Sequence, residues 1–279
     1  MERRNFLRLP LAAGAAILAT NALGVQPAMA LAPAVSGIPT GLKGFGWGSK
    51  GDLALSQLNS LNLDWYYGWS SKYPTTPENF VPMVWGGGAV DTAISNIKSQ
   101  LSLTHADTIL GFNEPDFKKQ AAMTTGEAVA AWPKLEATGL RLGSPATIAP
   151  NAWWMDTFMT KAKNAGLRID FVTMHCYGWP NAADFLRKVD RLHDKWGLPV
   201  WVTEYAVADW SATATVKNRY SRTQVNEFME ATVKGMRARP YVERFAWKTR
   251  AAGDISMGSS AIFHTDGALT TTGKLYASL

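Results

Sequence analysis

Thr108-Ile109-Leu110-Gly111-Phe112-Asn113-Glu114-Pro115-Asp116 is the stretch on which the fold of this chain turns. Ile109, Leu110 and Phe112 form an apolar run of the length of a buried strand. Pro115 has no backbone N–H and ends it. The run therefore delivers Asn113 and Glu114 at a strand's carboxyl end. Pro199-Val200-Trp201-Val202-Thr203-Glu204-Tyr205 does the same for Glu204. In parallel α/β proteins the carboxyl ends of strands are where chemistry sits. A glutamate directly after a buried apolar run carries a desolvation cost, so two of them in matching positions suggest cooperating carboxylates.

Working outward, apolar runs bounded by Gly, Pro or polar clusters recur along the chain. Candidate strands are 44–47, 63–67, 80–85, 108–113, 141–144, 170–177, 199–205 and 244–248. Helical patterns fall at 52–58, 91–101, 125–137, 153–165, 182–196 and 222–237. Thr124 and Glu127 make a capping box for the third helix, and Pro133 is expected to kink or shorten it. Gly166 and Gly197 stand where helix-ending glycines belong. Strand–helix alternation predicts a parallel sheet, and eight strands predict its closure into a single-domain α/β (β/α)8 TIM barrel over residues 42–279. Glu114 then ends the fourth strand and Glu204 the seventh. Period-two alternation puts Leu110, Phe112 and Glu114 on one face, and Val200, Val202 and Glu204 on another. Both carboxylates would point across the barrel mouth.

Residues 1–30 read as an export signal. Arg3, Arg4 and Arg8 precede an apolar run at 9–19, and Ala28-Met29-Ala30 is a cleavage site. Arg3-Arg4-Asn5-Phe6-Leu7 is similar to a twin-arginine signal, with the general secretory route as the alternative. Residues 31–41 read as a tether. A soluble, monomeric product, secreted or periplasmic and free of the membrane after cleavage, is expected. Removing thirty of the 279 residues leaves 249, a barrel's worth of chain. One cysteine, Cys176, excludes an internal disulfide framework. The net charge of +6 is thinly spread without a Lys/Arg block, which argues against nucleic-acid binding.

Two carboxylates across a cleft suit glycosidic bond cleavage, one donating a proton to the leaving oxygen and the other stabilising or attacking the anomeric carbon. Asn113 can bind a sugar hydroxyl. His175 and Tyr177 share a strand face, where Tyr177 could donate to the nucleophilic carboxylate and His175 could orient a carboxyl or bind substrate. Twelve tryptophans are many for this length. Trp47, Trp69, Trp85, Trp179, Trp210 and Trp247 fall at or just past strand ends, where aromatic faces stack on pyranose rings. Core packing is the account expected for Trp132, Trp196 and Trp201, with Trp153 and Trp154 open. The four histidines, at 105, 175, 193 and 264, lack metal-ligand spacing, so neither a metal nor a cofactor is expected. Gly86-Gly87-Gly88 has no accompanying Gly-x-Ser-x-Gly and reads as a turn beside the groove.

Gly111 to Asp116 together with Trp201-Val202-Thr203-Glu204-Tyr205 resembles glycoside hydrolase family 128, a glycosyl hydrolase catalytic core. The resemblance extends through Leu63-Asp64-Trp65-Tyr66-Tyr67-Gly68-Trp69, Pro82-Met83-Val84-Trp85-Gly86, Leu142-Gly143-Ser144-Pro145-Ala146, His175-Cys176-Tyr177-Gly178 and Phe245-Ala246-Trp247. It implies a retaining endo-β-1,3-glucanase with Glu114 as acid/base and Glu204 as nucleophile. Asn113 and Tyr177 would support them, and Tyr67 and the strand-end tryptophans would meet the polysaccharide. A β-1,3-glucan-binding wall protein with little turnover and a clan relative acting on another β-linked polysaccharide are the alternatives.

Overall fold

The computed structural model describes residues 39–279. The export segment 1–30 and the tether up to residue 38 lie outside the described residues. Gly41 is already bonded to the domain, its N–H donating to Val242 O at 2.8 Å.

Seven strands and seven α-helices alternate along the described residues. The strands are β1 (Leu42–Gly46), β2 (Trp65–Tyr67), β3 (Thr108–Ile109), β4 (Arg141–Leu142), β5 (Val172–Gly178), β6 (Val200–Val207) and β7 (Val242–Trp247). The helices are α1 (Asp52–Asn59), α2 (Val90–Thr104), α3 (Thr125–Glu136), α4 (Trp153–Asn164), α5 (Ala182–Trp196), α6 (Arg222–Arg237) and α7 (Thr271–Ser278). All pairings among these strands are parallel. One regular arc runs β2-β1-β7-β6-β5 and a short one pairs β3 with β4. Single parallel bridges, Tyr66 to Phe80, Met83 to Leu110 and Gly143 to Phe171, link the arcs. Eight stretches thus neighbour one another in succession around the ring, as the sequence pattern predicts.

The third stretch, expected as a strand over 80–85, is held only by bridges. Pro82 lacks a donor, and the chain turns into a 3-10 turn at Gly87–Ala89. No helix separates it from β2. In the third helix the capping box forms as expected, and the helix runs through Pro133 before ending at Glu136. The sequence pattern missed α7. It is one of the two shortest helices, and Gly273 in its first turn lowers its intrinsic propensity.

The core has two layers. An inner cluster of Trp65, Tyr67, Val81, Met83, Leu110, Phe171, Trp201 and Ala246 draws on six of the eight stretches and fills the ring. Gly44 is required there, since a Cβ would lie 2.2 Å from the Trp65 ring. The larger cluster packs the outer faces of the strands against the helices. No helix of the described residues is long and apolar enough to cross a membrane.

Candidate active site

Glu204 reaches the mouth by a route that simple alternation does not give. Trp201 is inward, stacked on Phe171 at 4.2 Å, whereas Val200 and Val202 join the outer cluster. The expected shared face of Val200, Val202 and Glu204 is therefore wrong. Between Val202 and Tyr205 the register of β6 slips against β7, and against β5 it slips between Met174 and His175. The extra residue of such a bulge re-aims the side chains beyond it. Glu204 turns inward and Tyr205 outward onto Phe185 of α5. A similar break occurs on the Glu114 side. Leu110 joins the inner cluster, but Phe112 packs on Trp132 of α3 at 5.9 Å. Gly111 lies between them, and a Cβ there would be 2.7 Å from Gly143 O.

Glu204 is buried and densely hydrogen-bonded. Trp69 Nε1 donates to Oε1 at 2.6 Å and Tyr67 OH at 3.2 Å, while Tyr177 OH donates to Oε2. Burial alone would push this carboxyl up. The charges of His175 and Lys248 and the hydrogen bonds from Tyr177 and Trp69 outweigh it, holding Glu204 below the usual value. Tyr67 and Tyr177 are pushed far up, first by burial and then by the Glu204 charge, so both remain donors.

Glu114 has φ 42, in the left-handed region that non-glycine residues rarely occupy. Its N–H donates to Ala146 O at 2.7 Å. Trp69, the donor to the other carboxylate, has φ 51. Unfavourable backbone held in place on both sides of one cleft is a feature of functional sites. His175, fully buried, stands between the carboxyls with Nδ1 3.0 Å from Glu114 Oε1 and Nε2 3.6 Å from Glu204 Oε1. One donor atom each of Glu114, His175 and Glu204 lies within 4.8 Å of the other two. His175 is hydrogen-bonded to Glu114 through Nδ1, whereas its buried Nε2 has no hydrogen-bond partner and faces Glu204 Oε1. Asn113 is buried beside them. Its Nδ2 donates to Gln120 Oε1 at 3.3 Å and its Oδ1 is unpartnered.

The cleft over these groups has a volume of about 700 Å³ and is walled by Trp69, Trp85, Tyr177 and Trp210. A second hollow of about 400 Å³ shares Trp69 and Trp85 and is lined by the Gly86-Gly87-Gly88 turn, beside the groove as expected. The other aromatics go elsewhere. Trp247 is buried against Tyr205, Phe228 and Tyr276 in the outer layer, its Nε1–H donating to Ser260 O. Tyr67 lies behind Glu204 as a donor, without a place in the cleft wall. Trp47 packs on Phe45 and Phe263 and lines a separate hollow. Trp179, 59% exposed, sits off the main cleft with its N–H toward Asp184. Trp132 and Trp154 are core and Trp153 is exposed. Lys248, Arg250, Phe117, Gln120, Ile148 and Met257 line the cleft without having been singled out from the sequence. Only Lys248, directly after β7, carried a positional signal.

A ring of parallel strands with two close carboxylates at the carboxyl ends of its fourth and seventh staves is the architecture of a glycoside-cleaving barrel. A family model described as glycosyl hydrolase catalytic core matches residues 44–276, and the chain belongs to that family. Among curated proteins, alkali-sensitive linkage protein 1 of Schizosaccharomyces pombe is 27% identical over 253 residues, 86% of this chain. The chain spans about half the length of that relative, 45%. Among solved structures, a family 128 subgroup I endo-β-1,3-glucanase of Amycolatopsis mediterranei in complex with laminarihexaose has a TM-score of 0.71 and 27% identity. That match covers 85% of this chain and 98% of the other. A subgroup II endo-β-1,3-glucanase of Sorangium cellulosum has a TM-score of 0.68 and 25% identity, over 85% and 98% of the two chains. The resemblance to glycoside hydrolase family 128 thus holds.

Proposed function

We propose that this chain is an exported, retaining endo-β-1,3-glucanase. The observation that carries the mechanism is the approach of Glu114 and Glu204 oxygens to within 4.8 Å across the mouth. Retaining glycosidases hold their carboxyls about 5–5.5 Å apart for direct attack, and inverting ones at roughly 6.5–9.5 Å to admit a water. Glu204, kept ionised by its donors, attacks the anomeric carbon and forms a glycosyl ester. Glu114, oriented by His175, gives its proton to the departing oxygen. In the second step Glu114 takes a proton from water, whose oxygen attacks the same carbon and releases Glu204.

The substrate class rests on the β-1,3-glucanases that this chain is similar to. Endo action is supported by the aromatic-walled cleft continuing into the hollow beyond Trp69 and Trp85, which suits a chain bound along its length. Export rests on residues 1–30. Replacing Arg3 and Arg4 by Lys and monitoring secretion separates the twin-arginine route, blocked by the change, from the general one.

Thin-layer analysis of products from laminarin, curdlan, cellulose and mannan tests the reading. A ladder of β-1,3-oligosaccharides from the first two supports it. Glucan binding without released sugar favours a wall-binding protein, and products from cellulose or mannan alone make the substrate assignment wrong.

A further inference from the structure

Lys248 comes directly after β7 and enters the same cleft as Glu114 and Glu204. Its Nζ lies 3.4 Å from the centroid of a Trp69 ring, so the ammonium sits on the indole face. The N–H of that same indole is the 2.6 Å donor to Glu204 Oε1. A cation on the face of an indole is attracted by the ring's negative face, most strongly where water is excluded. It also draws electron density from the ring, which makes the N–H a stronger donor to a carboxylate.

We propose that Lys248 is a positioning residue which, through the Trp69 indole and by its own charge, holds Glu204 in the ionised form and fixes its Oε1. The inference rests on the reading of Glu204 as nucleophile. It also gives a task to a cation whose presence a neutral glucan would not require. The groups facing Glu204 are Tyr67 and Trp69 from β2 and the loop after it, Glu114 from beyond β3, His175 and Tyr177 from β5, and Lys248 from beyond β7. Arg250 lines the cleft farther along the same loop. Of these only Lys248 and a protonated His175 place a positive charge against the carboxylate. The burial that pushes the Lys248 ammonium down is opposed first by Glu204, which is the reciprocal of the same interaction.

A bland role is available, since the lysine stem could simply brace Trp69. Lys248→Met keeps the bulk of the stem and removes the charge, and Lys248→Arg keeps the charge. The first readout needs no substrate: the pH midpoint of the Glu204 carboxyl carbon in protein labelled with carbon-13 at glutamate Cδ, assigned with Glu204→Gln. In Lys248→Met the midpoint rises by on the order of one pH unit, and in Lys248→Arg it stays near wild type. The second readout is the acidic limb of kcat/KM on laminarin. It moves up with the midpoint, so activity on that limb falls about tenfold in the Met variant.

An unchanged midpoint in Lys248→Met, with the protein folded by thermal melting, overturns the proposal whatever laminarin shows. A shifted midpoint in a protein that releases nothing from laminarin supports the charge link and defeats only the substrate reading. If Lys248→Met does not fold, Lys248→Gln carries the same comparison. Misfolding of both beside a folded Lys248→Arg would make the residue structural and end the proposal.

Discussion

His175 Nδ1 stands 3.0 Å from Glu114 Oε1, with the imidazole fully buried. The ring fills the space between the carboxyls and fixes the Glu114 oxygen nearest it. His175→Gln should retain the fold, keep KM on laminarin within a few-fold and lower kcat by about 10²-fold, the scale of a misplaced general acid. A large rise in KM with kcat preserved would assign the ring to substrate binding instead.

Glu114→Gln and Glu204→Gln should each fold and lose about 10³-fold or more in kcat/KM, roughly 4 kcal/mol of transition-state stabilisation. Proton NMR of the wild-type digest should show the β-anomer first, before mutarotation. An initial α-anomer would make the retaining mechanism wrong.

The lowered pKa of Glu204 has a sign that melting can read. In the folded state the carboxyl titrates below its ordinary 4.5, so between the two values the unfolded chain binds the extra proton. Its contribution to stability is complete above 4.5 and declines as pH falls through that value toward the lower one. Glu204→Gln lacks the group and should show a flatter fall of Tm across the acid range. Parallel curves would remove Glu204 from the acid transition.

Two tryptophans separate packing from binding. Trp247→Ala opens a void in the outer layer and should cost about 3–5 kcal/mol. Trp210, 61% exposed and edge-on to Tyr177, should change stability by under about 0.5 kcal/mol when replaced by Ala. Its loss should instead raise KM for long glucans several-fold, as the removal of one aromatic face does. Equal effects of the two changes on KM would contradict the division between core and cleft.

Ala122 has φ 47, where a Cβ is strained and no polar side chain compensates. Ala122→Gly should raise stability by about 0.5–1 kcal/mol, the relief outweighing the added freedom of the unfolded chain. A lower Tm would show that the methyl group packs usefully.

Much of this protein could be read along the chain because the signals involved are local. Apolar runs stopped by Pro115, Gly166 or Gly197 mark element ends through backbone chemistry carried in a few residues. The ranges of α5 and α6 and the capping box of α3 come from that chemistry. The same local signal singles out the two glutamates, although β3 ends at Ile109 and β6 runs on past Glu204 to Val207.

Which way a side chain points, and what it then touches, was decided by the tertiary structure. The bulge in β6 and the crowding at Gly111 exist only because neighbouring staves press on these segments, and they reverse the faces that alternation assigns. Packing between the strands likewise sets Trp201 inward, Trp247 in the outer core and Tyr67 behind a carboxylate. Lys248 and Trp69 meet from distant segments of the chain, and no pattern within either could announce the contact. Sequence periodicity counts residues along one strand, whereas packing against its neighbours sets register between strands.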